Sequence, residues 1–152
     1  MPEWMIDRFG SKQLENAFLW ITLVPIPAWI LLLGFGQRRW MRTLGHPLIL
    51  PLLPIPLWAY VFYQVVIVFG APGVSGVGYF DARGFLSHPL IFLVLWAHLQ
   101  VVNLFVGTVI LREGLRSGTN VKLEVLLAWL MAPLALAVCA IRVGTKRTLF
   151  RW

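Results

Sequence analysis

Charge is what this sequence has least of. Only 12% of the 152 positions are charged and 59% are hydrophobic, where a soluble domain carries about 25% charged residues. A chain this short has no interior large enough to hide so much apolar surface, so a folded domain in water is excluded. Disorder is excluded too, because no long polar tract interrupts the Leu, Ile, Val and Trp. Cysteine is nearly absent. Cys139 alone cannot form an internal disulfide, and without paired cysteines no zinc motif exists. No Asp or Glu falls in the middle of an apolar run, which argues against a carboxylate-lined proton or ion path. Nucleophile triads, phosphate loops and paired catalytic carboxylates are missing as well, and no metal site is expected.

What is present is a series of apolar runs separated by charge. A helix needs about 20 residues to cross roughly 30 Å of hydrocarbon, and four runs meet that need, near 16–35, 47–69, 89–111 and 122–141. The period-2 alternation of a membrane barrel is missing, so backbone satisfaction in lipid requires helices. The expected fold is all-α, a single transmembrane domain over 1–152 built as a bundle of four spanning helices. Pro25 and Pro27 interrupt the first, and Pro51, Pro54 and Pro56 crowd the start of the second. Each removes a backbone donor and crowds the preceding turn, which predicts kinks in both helices. The Gly70–Gly76 stretch reads as loop. No small-residue cleavage site closes the first run, which is therefore expected to be retained. Lys122 and Arg142 bound the short fourth run and are expected to reach outward from its ends.

Thirteen Lys and Arg stand against six Asp and Glu. The basic residues cluster between apolar runs, as Arg38, Arg39 and Arg42, as Arg112, Arg116 and Lys122, and as Arg142, Lys146, Arg147 and Arg151. Such placement marks anchors at lipid headgroups, and no nucleic-acid motif accompanies it. Four crossings would put both termini on one side. That side would hold Arg8, Lys12, Arg83 and the four tail residues, seven against six, so the charge rule assigns no orientation.

The polar inventory inside the runs is short. Gly45-His46-Pro47-Leu48-Ile49 and Ser87-His88-Pro89-Leu90-Ile91 form a small repeat in which proline at the first helical position loses no hydrogen bond. Both histidines read as helix starts on opposite membrane faces. His98 is the histidine well inside a run, where an ionisable group is costly and normally faces the bundle interior. It could exchange a proton, ligate a pigment metal or post two helices together. Trp96, Gln100, Asn103 and Gly107 follow spacings of four, three and four and so share one stripe. His98 lies about 160° from Gln100. The stripe serves either as helix-to-helix glue or as the polar end of an apolar ligand cavity. Each run also carries a tryptophan, Trp29, Trp58, Trp96 and Trp129, and Trp20 and Trp40 flank the first as interfacial anchors. Four inward aromatic faces would suit a flat or polyene ligand, and simple packing equally. Tyr60, Tyr63 and Gln64 complete the donors of the second run.

Trp96-Ala97-His98, Asn103-Leu104-Phe105-Val106-Gly107, Glu113-Gly114 and Pro133-Leu134-Ala135-Leu136, with Pro27-Ala28-Trp29 in the first run, together resemble a known pattern. It is that of the small four-span family that includes plant neoxanthin synthase, the abscisic-acid-deficient-like proteins. The resemblance covers most of the chain and is strongest in its C-terminal half. It implies association with carotenoids, with His98 at the family histidine and Gly107 at the family's small residue. Three positions depart. The family aspartate is Asn103 here, an arginine is Thr108, and a histidine of the last helix is Cys139. Asparagine cannot ionise, so an acid–base step through that carboxylate is lost.

Two readings follow. The first is a non-catalytic membrane protein that binds a carotenoid or (bacterio)chlorophyll-type pigment, or that serves as a small accessory subunit of a larger photosynthetic membrane complex. Its ligand-binding residues would be Trp29, Trp58, Trp96, His98, Gln100, Asn103 and Trp129. The alternative is a carotenoid-modifying isomerase or epoxide-opening enzyme with His98 as its catalytic residue. The expected partners are the lipid bilayer, other membrane subunits and an apolar isoprenoid, and the expected location is a bacterial inner membrane or photosynthetic membrane.

Overall fold

The computed structural model describes residues 3–36, 38, 40, 46, 47, 49–69 and 86–149. Its elements are α1 (Glu3–Leu23), α2 (Ile26–Phe35), a 3-10 turn (Leu50–Leu52), α3 (Ile55–Phe69), α4 (Pro89–Ser117) and α5 (Lys122–Leu149). Every described element is helical. Four stretches are long and apolar enough to cross a membrane, Lys12–Phe35, Leu50–Ile67, Pro89–Ser117 and Lys122–Thr145. The protein is a multi-pass integral membrane protein.

The prolines act as their positions predict. Pro25 and Pro27 have no N–H to offer the carbonyls of Ile21 and Leu23, and the ladder breaks there, separating α1 from α2. The break is framed by Val24 N–H donating to Trp20 O (3.0 Å) and Trp29 N–H donating to Pro25 O (3.1 Å). Pro51, Pro54 and Pro56 likewise divide the second stretch into the 3-10 turn and α3. His88 caps α4, its Nδ1 accepting from Leu90 N–H at 3.2 Å, with Pro89 at the first helical position. Gly118 ends α4 at φ 61°, a left-handed conformation that glycine adopts without steric cost. Thr119 N–H then returns to Gly114 O at 2.9 Å. The His46 segment shows no such helix start, since the first helical residue after it is Leu50.

α4 is the central post, and its two halves belong to different cores. Leu90, Ile91, Leu93 and Ala97 pack with Ile21, Val61 and Val65 of α1 and α3. Leu104, Val106, Ile110 and Leu111 pack with Ala28, Trp29 and Leu32 of α2 and with every buried apolar residue of α5. The buried face of α5 is small, with Ala128, Ala132, Ala135 and Cys139 in a row, which lets helices approach closely in lipid. The outward faces carry Leu123, Leu130 and Ile141, each about 70% exposed, as a lipid-facing surface requires.

α5 is not straight. Met131 has φ −146° and ψ 78°, and Pro133 follows inside the helix. Glu124 and Arg142 are 18 residues apart and yet form a 2.5 Å ion pair. A straight helix would separate their backbones by about 27 Å, far beyond the combined reach of two side chains. The bend therefore folds the two arms, Lys122–Leu130 and Ala132–Leu149, toward each other at an acute angle. Cys139 of the second arm accordingly lies within electrostatic range of Glu124 and of Glu113 near the end of α4.

Candidate functional site

The apex of the bend rests on α4. Pro133 has no N–H for the carbonyl of Trp129, one turn earlier. Asn103 supplies the missing donor, its Nδ2 reaching Trp129 O at 3.1 Å. One turn further along α4, Gly107 lets the indole of Trp29 lie against the backbone. A Cβ at this position would stand 2.8 Å from the Trp29 ring. Trp29 is 1% exposed and stacks on Trp129, ring centres 6.0 Å apart and planes 25° from parallel. Its Nε1–H is buried and finds no acceptor among the described residues. Trp29, Asn103, Gly107 and Trp129, from three helices, thus form one aromatic and polar cluster. Gln100 on the same stripe is also buried, at 6% exposure.

The ion pair behind this apex was not legible in the sequence. Glu124 is 1% exposed, its Oε1 accepts from Arg142 Nη1, and its Oε2 is buried with no partner among the described residues. Arg142 was expected to reach outward from the end of the run. Instead it turns back to Glu124, because the bend at Met131 brings a buried carboxylate within range.

The other predicted residues do not join the cluster. Trp96 donates from Nε1 to Thr22 Oγ1 at 3.1 Å, and that hydroxyl donates to Phe18 O at 2.8 Å. With Phe18 stacked on the ring at 5.8 Å, this pins α4 to α1. Trp58 stacks on Phe62 at 5.3 Å and lies 6.4 Å from the His98 ring. The interior placement expected of His98 is not what the structure has, since its side chain is exposed on the outer face of α4. Gln100, about 160° away, took the inward face instead. Tyr60 and Tyr63 are each 60% exposed. Among the described residues no group of three His, Cys, Asp or Glu side chains is placed to hold a metal ion.

His88 makes α4 sensitive to acid. Burial holds its imidazole below the ordinary range, and the neutral Nδ1 is what accepts from Leu90 N–H. A folded-state value below the unfolded one means that the cap contributes fully above about pH 6.5 and is lost as pH falls through the lower value. Acidification from pH 8 to pH 5 should therefore lower stability, by no more than about 1 kcal/mol, the worth of an N-cap. The thermal midpoint in detergent should fall accordingly, and His88→Asn, which caps without titrating, should lose this acid sensitivity.

Residues 16–138 match the family profile described as ABA4-like, ABA DEFICIENT 4-like. The chain belongs to the ABA DEFICIENT 4-like family. The matched region contains the whole cluster of Trp29, Asn103, Gly107 and Trp129 and also Glu124, and it ends before Arg142. The ABA4-like chain is also 29% identical to heme exporter protein B of Rhodobacter capsulatus, over 90% of its own length and 65% of that protein. It therefore spans less than two thirds of the curated relative. No solved structure matches.

Proposed function

We propose that this ABA4-like protein binds a carotenoid or related isoprenoid pigment within the membrane, at the Trp29–Trp129 cluster, and works as a small non-catalytic component of a larger pigment-handling, photosynthetic membrane assembly. The observation that carries the reading is the Trp29 indole, 1% exposed, stacked on Trp129, with a buried N–H that no group among the described residues accepts. An unpaired buried donor costs about 1–3 kcal/mol. The terminal oxygen of an oxygenated polyene reaching the edge of the cluster would satisfy it, while the outer face of Trp129, 38% exposed, lies against the apolar chain. Family membership supports a carotenoid, and the name of the Rhodobacter relative points to another flat, conjugated, apolar pigment. Asn103 holds the Trp129 carbonyl rather than facing an ionisable partner, which favours binding over acid–base chemistry.

Protein purified from its own membranes in mild detergent should carry pigment with a visible absorption band. Trp29→Phe keeps the ring and removes the N–H, and it should lower pigment per protein several-fold. Colourless protein, or unchanged pigment in Trp29→Phe, would refute the assignment. The enzymatic alternative rests on His98, which faces away from the cluster. It predicts altered xanthophyll products on His98→Ala, whereas the binding reading predicts the same products.

A further inference from the structure

α4 has a face that none of the described residues covers. Its inward stripe, with Leu93, Ala97, Gln100, Leu104 and Gly107, is buried against the other helices. On the opposite side Leu95, His98, Val102 and Phe105 are exposed and Val109 is half-buried. We propose that this outward stripe seats the same stripe of a second copy of this chain. The dimer forms about a two-fold axis along the membrane normal, with the two His98 imidazoles hydrogen-bonded to each other.

His98 is the residue that needs a partner. The apolar run of α4 extends from Pro89 to Leu111 before Arg112, and His98 lies only about 3 Å along the axis from its middle. That is the depth of the bilayer centre, where an ionisable side chain is costly and normally turns into protein or water. Yet His98 is exposed on the outer surface of the helix. Among the described residues its ring meets Trp58 of α3 at 6.4 Å and finds no hydrogen-bond partner. Acyl chains offer neither donor nor acceptor. Rotating the helix gives no relief, because turning His98 inward would turn Gln100, now 6% exposed, toward the lipid.

The chemistry of the stripe favours an identical partner. Copies inserted alike are related by a two-fold axis along the normal, which lays two α4 helices parallel and in register. Each stripe residue near the axis then meets its own counterpart. Leu95, Val102 and Phe105, which are 37–42% exposed in the single chain, would face apolar side chains. A neutral imidazole carries one N–H donor and one bare nitrogen acceptor. It is therefore complementary to a second imidazole at the same depth, whereas an unrelated helix would have to bring its own polar group to that level. Positions 95, 98, 102, 105 and 109 alternate spacings of three and four, the repeat that keeps two helices face to face at the shallow crossing angle usual in membranes. Arg112 comes next on the stripe, past the end of the apolar run, where water and salt screen two like charges.

Cross-linking reads the geometry. In a Cys139→Ala background, Leu95→Cys and Val102→Cys are oxidised in lipid vesicles beside a control, Leu130→Cys, at a position 74% exposed on α5. The two α4 variants should give disulfide-linked dimers and the control should stay monomeric. No dimer from the α4 pair, or dimers from all three alike, would overturn the interface. Energy transfer between labelled copies diluted with phosphatidylcholine then reads the role of His98. The wild type should associate in a concentration-dependent way, and His98→Leu should weaken association about three- to twentyfold, the range measured for hydrogen bonds between membrane helices. His98→Asn, which keeps a donor and an acceptor, should retain most of it. A monomer at every dilution would leave the stripe to lipid or to a foreign subunit and overturn the dimer. Equal association of wild type and His98→Leu would overturn the imidazole contact. At high dilution the two should share one thermal midpoint, and a lower one for His98→Leu would place His98 in the fold of the single chain instead. These readouts do not involve pigment, so they can fail while the pigment reading stands.

Discussion

Gly107→Leu is expected to lower the stability of the folded protein by about 3 kcal/mol, the upper end for overpacking a filled site. The first side-chain carbon would already stand 2.8 and 2.9 Å from two ring atoms of Trp29. The ring cannot retreat, because it is 1% exposed and backed by Trp129. Helix propensity acts the other way, since leaving glycine gains about 1 kcal/mol, and the clash outweighs it. Gly34→Leu is the control. A Cβ there meets nothing within 4 Å, so the same change in α2 should be neutral or mildly stabilising. Denaturation in mixed micelles would compare the two, and equal losses would show that Trp29 is not seated on Gly107. If the cluster is the pigment site, Gly107→Leu should also lose pigment.

Arg142→Gln should be comparably severe for a different reason. It leaves the Glu124 carboxylate, 1% exposed, without its cation. Breaking a buried pair costs about 3–5 kcal/mol, and the half-exposed arginine puts this case near the lower figure. Replacing both partners, as Glu124→Leu with Arg142→Leu, removes the unpaired charge as well as the pair and should recover most of the loss. A double mutant as unstable as the single would mean that the ion pair does not govern the arm.

Much of the fold was legible because membrane helices announce themselves by length and apolarity. The four runs, the kinks at Pro25, Pro27, Pro51, Pro54 and Pro56, and the start of α4 at His88-Pro89 all follow from local chemistry. The stripe of Trp96, Gln100, Asn103 and Gly107 was readable from helical spacing, and Trp29 from its place beside Pro27. The bend at Met131 was harder. Pro133 was read only as part of a family motif, and the direction of the bend depends on Asn103 of another helix and on a pair 18 residues apart, while no helical periodicity links positions 124 and 142. His98 was misplaced for a related reason. The cost of a polar group in lipid argues for an inward position, while the helix register that buries Gln100 turns His98 outward.

The bend that assembles Trp129 with Trp29 and Asn103 is the claim on which the site rests, and one distance tests it. Spin labels are placed through Leu123→Cys and Ile141→Cys, two exposed positions on opposite arms, in a Cys139→Ala background reconstituted into lipid nanodiscs. Double electron–electron resonance should give a separation below about 20 Å. A straight crossing helix would hold the two backbones about 27 Å apart, and a distribution centred there or beyond would contradict the fold-back and the site built on it.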